Sequence, residues 1–286
     1  MTMLLRIFDV EHGACAMLAA PTGVNSDALA VIDCGHNSST GWRPSTFCRY
    51  RLGRDYVDYL LITNADQDHI SDLSTLIQSG ISIRHLITNT QVSPQSLRWI
   101  KQQSGPVTAD AEALIRMRSN FGPLGSGIPF NQAMGGIAVR SFCHPFPTFT
   151  NSNDLSSVFF ITYGHFKILF PGDLEKAGWK AHLQDQAFCA ELRETTILVA
   201  SHHGRESGYC EEVFQYLQPQ AIVISDKSIV HNTQEMVPDY RSKVRTAGIN
   251  IKNEQGHRQV LTTRRDGDIL FRVESTGNYT VTTQLQ

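Results

Sequence analysis

The stretch Thr63-Asn64-Ala65-Asp66-Gln67-Asp68-His69 directly follows the apolar run YVDYLLI of residues 56–62, and its reading decides the fold. Asp66, Asp68 and His69 are three metal-binding side chains within four positions, at what the pattern reads as a strand-to-helix turn. A single Asp or His at such a turn usually caps the helix. Three together crowd negative charge that a cation would relieve.

The same arrangement recurs along the chain. FKILF delivers Phe170-Pro171-Gly172-Asp173, ILVA delivers Ser201-His202-His203-Gly204, and AVI delivers Asp33-Cys34-Gly35. Phe142-Cys143-His144-Pro145 ends a further strand-like segment. Singly, Gly-Asp is ordinary turn chemistry, paired histidines pack or hydrogen-bond, and His144 reads as structural. The order of the five is what carries information.

Around these points the periodicity switches between strand and helix. LLRIFDV, AMLAA, LAVIDCG, YVDYLLITN and RHLITNT read as strands, with PTGVNS at 21–26 as a turn. Residues 45–53 suit a short helix, Ile70–Gln78 a second ended by Gly80, and 93–121 a helical region opened by Ser93-Pro94. The segment GPLGSGIPFNQAMGG, 122–136, holds five glycines and two prolines and reads as a loop or lid. Beyond it, SSVFFITYGHFKILFPGD predicts a hairpin, TILVASHHG and PQAIVISD predict strands, and 175–193 and EEVFQYLQ predict helices. PDYRSKVRTAG predicts a helix capped by Gly248, and QVLTTRRDGDILFRV a hairpin turning at Asp266-Gly267. Strands and helices mix in both halves, which suits an α+β chain of two packed sheets with helices outside. One domain over 1–286 is expected, with halves of about 1–121 and 137–286 joined by the Gly-rich loop.

The 286 residues suffice for a large core without disulfides or a structural metal. Charged residues, at 18%, fall below the usual ~25%, yet 9% aromatics and regular apolar clusters exclude disorder. No apolar run reaches the ~18 residues of a membrane span. Arg6 and Asp9 come too early for a signal peptide. The six cysteines, at 15, 34, 48, 143, 189 and 210, form no C-x-x-C pair and read as reduced, packed thiols of a cytoplasmic protein. A net charge of −2 hides one asymmetry: 241–265 carries seven Lys/Arg (Arg241, Lys243, Arg245, Lys252, Arg258, Arg264 and Arg265) against Glu254 alone. Arg43, Arg49, Arg51 and Arg54 form a second basic cluster. Solvated faces are the plain reading. A basic rim beside an acidic metal centre is the sharper one.

Taken in order, Asp-x-Gly, a D-x-D-H turn, a lone His, Gly-Asp and His-His-Gly resemble the metallo-β-lactamase-fold hydrolases. FDVEHGAC resembles a D-V-G-Q-G-D/S-A opening. NADQDHISDL resembles H-x-D-x-D-H-x-x-G, NDLSSVFFITYGHFKILFPGD an N-D-x-S strand-turn-strand ending in Gly-Asp, and SHHGRESG the pattern S-H-H-G-S-x-x-S. Such motifs mark the C-terminal hydrolase domain of competence-type DNA-uptake proteins and the phosphorylcholine esterases. The resemblance runs from about Leu4 to Val273 and implies a four-layer αββα sandwich of the metallo-β-lactamase type.

It also implies a two-metal site. Asp68, His69, His203 and a bridging Asp173 would hold one ion. Asn64, Asp66, His144 and the same Asp173 would hold the other. Asp33 would orient the turn, and His202 would face the substrate. With Asp68, these two form the expected catalytic group. Asn64 stands where the family has His and is a poor donor for a transition metal, so the second position is expected to be weak. On this view Asn64→His raises metal stoichiometry toward two. Glu11-His12 in place of Gly-Gln and Asp72 in place of Gly are further departures.

The implied activity is Zn²⁺- or Mn²⁺-dependent hydrolysis by an activated water, most simply of a phosphodiester or nucleic acid. His231 and Arg258 are candidate substrate contacts, and a protein partner is conceivable. Two alternatives stay open: a degenerate member that binds without cutting, and a lactonase- or thioesterase-type hydrolase with 122–136 as an apolar lid.

Overall fold

A computed structural model describes residues 2–20, 28–121, 130–229, 231–244, 246–252 and 254–284. The predicted 21–26 turn, residues 122–129 of the Gly-rich loop and Arg245 lie outside these.

The first strands are β1 (Thr2–Ile7), β2 (Ala16–Ala20), β3 (Ala28–Ile32), β4 (Tyr56–Leu61) and β5 (Ser82–Ile87). Next come β6 (Ala138–Phe142), β7 (Val158–Tyr163), β8 (Phe166–Phe170), β9 (Ile197–Val199) and β10 (Ala221–Ile224). A small pair, β11 (Ile249–Asn250) and β12 (His257–Arg258), precedes β13 (Val260–Thr262), β14 (Asp268–Glu274) and β15 (Tyr279–Gln284). One sheet runs β15-β14-β1-β2-β3-β4-β5 and the other β13-β10-β9-β8-β7-β6. The strands β3, β4 and β5 are parallel to one another, and so are β8, β9, β10 and β13.

The alternation of side chains explains how the sheets stack. Met3, Leu5 and Ile7 of β1, with Leu18, Ile32 and Leu61, meet Phe159, Ile161, Ile168 and Val223 in one core between the sheets. The opposite faces are covered by helices. Leu29, Val31 and Leu60 pack under α3 (Leu73–Gln78) and α5 (Ala109–Asn120), the third and fifth helices after α1 (Pro44–Thr46), α2 (Gln67–Ile70) and α4 (Pro94–Gln102). Phe160, Leu169, Leu198 and Ile222 pack under Trp179 of α7 (Lys176–His182), Phe188 of α8 (Gln186–Arg193) and Tyr240 of α9 (Val237–Lys243), which follow the short α6 (Phe130–Ala133). The layers are therefore helix, sheet, sheet, helix: the expected αββα sandwich.

Four expectations are corrected. The chain after Val260 is not a hairpin. β13 belongs to one sheet and β14 to the other, and a helical turn, α10 (Thr263–Asp266), carries the chain across. Gly267, at φ 65°, then sets the new direction where a hairpin turn was expected. Helix α9 ends at Lys243, and Gly248 opens β11 instead of capping it. The helix after the metal-type turn is broken into α2 and α3 at Ser71-Asp72. The Asp72 carboxylate is spent on the Ser45 amide at 2.7 Å and the Arg43 guanidinium at 3.0 Å. Finally, 122–136 is not all loop, since Phe130–Ala133 forms α6. Five cysteines are buried and Cys143 is half-buried, all as free thiols. Among the described residues no helix is long and apolar enough to cross a membrane.

Candidate metal centre

Asp33 follows β3, Thr63–His69 follows β4, Asp173 follows β8 and His202-His203 follow β9, so carboxyl ends of strands from both sheets converge at one rim. The backbone there is forced. Asp33, His202 and His203 take φ of 56°, 51° and 53°, and Glu11 takes 59°; these are the described non-glycine residues with positive φ. Such conformations cost about 1–3 kcal/mol each and persist where the surroundings over-determine them.

One ligand atom from each of Asp68, His69, Asp173 and His203 can be chosen so that all lie within 4.8 Å of one another. His69 Nε2 is 3.0 Å from Asp173 Oδ1, and His203 Nε2 is 3.2 Å from Asp68 Oδ2 and 3.4 Å from Asp173 Oδ1. Ligands at the usual ~2.0–2.2 Å around a tetrahedral ion are about 3.4 Å apart, so this spacing accommodates one.

Each imidazole is held from behind. His69 Nδ1 faces Asp33 Oδ2 at 2.9 Å, and Asp33 also accepts from the Thr63 amide at 2.7 Å and hydroxyl at 2.5 Å. His203 Nδ1 donates to the Ser225 carbonyl at 3.1 Å, which leaves Nε2 with its lone pair toward the cluster. That Nε2 is buried and has no hydrogen-bond partner, although two carboxylates are near. An orphaned acceptor beside acids is the donor chemistry a divalent cation satisfies. Beneath lies a cavity of about 30 Å³ lined by Asp33, Thr63, His69, Asp173, His203 and Ser225.

The electrostatics agree. Burial would raise the Asp68 and Asp173 carboxyls, but the imidazolium forms of His203 and His69 hold Asp68 well below the usual carboxylate range and Asp173 at about 2. Burial would lower His69, but Asp173 and Asp33 outweigh it and push the imidazole up.

Gly13 and Gly35 fix the turn's height. A Cβ on Gly13 would sit 2.7 Å from the Asp68 carbonyl oxygen, and one on Gly35 only 2.3 Å from it. Ala14 donates to the same carbonyl at 3.3 Å.

The other expected ligands do not join. Asp66 gives one carboxylate oxygen to the Lys101 ammonium and the other to the Ser152 hydroxyl at 2.8 Å. The Asn64 side-chain oxygen accepts from the Asp66 amide at 3.0 Å, which is an Asx turn. His144 Nε2 donates to the Gly178 carbonyl at 2.9 Å, and the ring stacks on His182 with centroids 3.7 Å apart. All three are engaged by the protein, and among the described residues they do not form a second ligand set. Sequence reading missed Lys101, whose only signal was a lone Lys on the helix following Ser93-Pro94.

His202 stands beside the cluster. Its Nδ1 is 2.9 Å from the Ser207 hydroxyl and 3.4 Å from Glu175, and burial lowers its pKa. His231 and Arg258 are elsewhere engaged. His231 caps the turn Asn232–Gln234, while Arg258 pairs with both oxygens of Asp266 at 2.9 and 3.0 Å. The basic segment is partly neutralised too, by Lys243–Glu211, Arg258–Glu254 and Arg264–Asp226 pairs.

No family model and no curated protein matches the sequence. Among solved structures, the chain is similar to the metallo-β-lactamase-fold protein YhfI of Bacillus subtilis, at 11% identity and TM-score 0.47 over 95% of this chain and 99% of that one. It is similar to a protein of Parabacteroides distasonis named as a metal-dependent hydrolase, at 12% and 0.47 over 91% and 93%. It is also similar to a diphosphatase of the PhnP family, at 12% and 0.40 over 95% and 99%. Likenesses this distant carry no weight for the chemistry, which rests on the side chains themselves.

Proposed function

We propose that this chain is a metal-dependent hydrolase of phosphoric esters, of the phosphodiesterase type, working with one divalent ion, Zn²⁺ or Mn²⁺, held by Asp68, His69, Asp173 and His203. The observation that carries this reading is the buried, partnerless His203 Nε2 facing two carboxylates. An ion bound there supplies Lewis acidity and makes water acidic enough to ionise near neutral pH.

The chain's own residues do the rest. Asp33 and the Ser225 carbonyl fix which nitrogen of each imidazole faces the site. Asp68 and Asp173 balance the charge of the ion. His202, its Nδ1 occupied by Ser207, keeps Nε2 for an oxygen of the substrate, and its lowered pKa keeps it neutral at pH 7.

A small phosphodiester suits the surface better than a long nucleic acid, because Lys243, Arg258 and Arg264 of the basic segment are ion-paired to acids. The test is turnover of a generic phosphodiester, single- and double-stranded DNA, RNA, a lactone and a thioester with added Mn²⁺ or Zn²⁺. Phosphodiester cleavage lost in Asp68→Ala supports the reading. No turnover of any phosphodiester, or turnover of the lactone or thioester alone, refutes it.

A further inference from the structure

Arg205 and His12 come from opposite ends of the chain and meet beside the metal cluster. Arg205 Nη2 lies 2.7 Å from His12 Nε2. Guanidinium has no acceptor, so His12 Nε2 accepts and its proton sits on Nδ1. His12 Nδ1 is buried and has no hydrogen-bond partner, and neither does the buried Arg205 Nε. The His12 ring lies 4.4 Å, centroid to centroid, from that of His203.

Charge is the second feature of the pair. Arg43, Arg54, Arg98, Arg140, Arg258 and Arg264 each have a carboxylate partner. Arg205 has none within ion-pairing distance among the described residues, and its side chain bonds instead to the His12 imidazole. A half-buried guanidinium that lacks a carboxylate counter-ion and is anchored by one nitrogen is arranged for an anion on its remaining exposed donors. Both residues also sit in the motif stretches FDVEHGAC and SHHGRESG, at positions where the patterns these stretches resemble carry other residues.

We propose that Arg205, anchored through Nη2 on His12, takes an anionic oxygen of the substrate, and that the group it takes is a phosphate. The proposal rests on the phosphoester reading above and names the contacts that would hold its substrate. Planar guanidinium N–H donors suit phosphate oxygens, and the bond from Nη2 to His12 Nε2 fixes the fork in place. Arg205 is thus a specificity-determining residue beside the cluster, and His12 is the positioning residue that holds its guanidinium.

The experiment is calorimetric titration of the metal-loaded protein with inorganic phosphate and, separately, with acetate, with metal content measured on every variant. Arg205→Gln is expected to weaken phosphate binding about 10- to 100-fold with metal content unchanged, the loss expected for charge-assisted hydrogen bonds. Arg205→Lys, which keeps charge but not the fork, should fall between, and His12→Gln should lose less than Arg205→Gln. Acetate should bind more weakly than phosphate. Phosphate affinity equal in wild type and Arg205→Gln, no phosphate binding by wild type at millimolar concentration, or acetate binding as tight as phosphate overturns the proposal. A wild-type protein that takes up no metal would refute the hydrolase reading instead, and that result is read from the metal measurement alone.

Discussion

Lys101, on α4, holds the carboxylate of Asp66 at the rim of the metal centre, where the resemblance to two-metal hydrolases expects a ligand. With Ser152 on the other, both oxygens of Asp66 are already engaged, as are the Asn64 side-chain oxygen and His144 Nε2. We predict that purified protein saturates at one Zn²⁺ or Mn²⁺ per chain. Asn64→His alone should leave that value near one, because its neighbours remain engaged. Elemental analysis after dialysis checks both, and two ions per wild-type chain would show the Lys101 contact to be displaceable.

Removal of a shared ligand should abolish binding. Asp173 touches both histidines of the cluster, at 3.0 and 3.4 Å. Wild type should gain thermal stability when metal is added, by about 2.7 kcal/mol at a hundredfold excess over Kd. Asp173→Asn should show no such gain. A metal-induced rise in Tm of equal size in the variant would remove Asp173 from the ligand set.

The close approach of Gly35 to the Asp68 carbonyl predicts a positional effect without loss of any ligand. A Cβ at 2.3 Å from that oxygen cannot be absorbed by a side-chain shift, since the neighbour is backbone. Gly35→Ala should cost about 1–3 kcal/mol of stability and also weaken metal binding. Denaturant melts and metal titration would read the two effects separately. Unchanged values for both would mean that the loop is not clamped there.

The stacked histidines give a pH signature away from the cluster. Burial, with His144 alongside, pulls His182 down to about 3 from an ordinary 6.5. The native state therefore binds fewer protons than the unfolded chain. Stability is full above pH 6.5 and is lost as pH falls toward 3. The loss at pH 5 relative to pH 7 should be about 2 kcal/mol. His182→Phe, which keeps a ring against Phe142 and Phe188, should flatten that dependence. An unaltered acid limb in denaturant melts would place the titration elsewhere.

Much of the site was legible because its chemistry sits at strand ends. Apolar runs such as FKILF and ILVA announce themselves, and the polar groups after them inherit a common rim. The Asp68, His69, Asp173 and His203 cluster follows from that rule. What was not legible depends on partners far away in sequence. Nothing near Asp66 announces Lys101, and nothing near His144 announces that Gly178 and His182 will engage it. Likewise TTRRDG resembles a hairpin turn locally. Only the facing of its two flanking strands toward different sheets reveals a crossing. The basic count over 241–265 misled for the same reason, since Glu211 and Asp226, which neutralise part of it, lie outside that window.

That crossing has a consequence for how the molecule can be made. Thr2 is in register with Glu274 and Ile7 with Ile269, so β1 lies between β2 and a strand that follows it only after all the other strands of both sheets but β15. During translation β1 must wait with one hydrogen-bonding edge unmet until β14 has emerged from the ribosome. The sheet that carries Asp68 and His69 therefore closes only when β14 is available, and until then the nascent chain is open to wrong pairings.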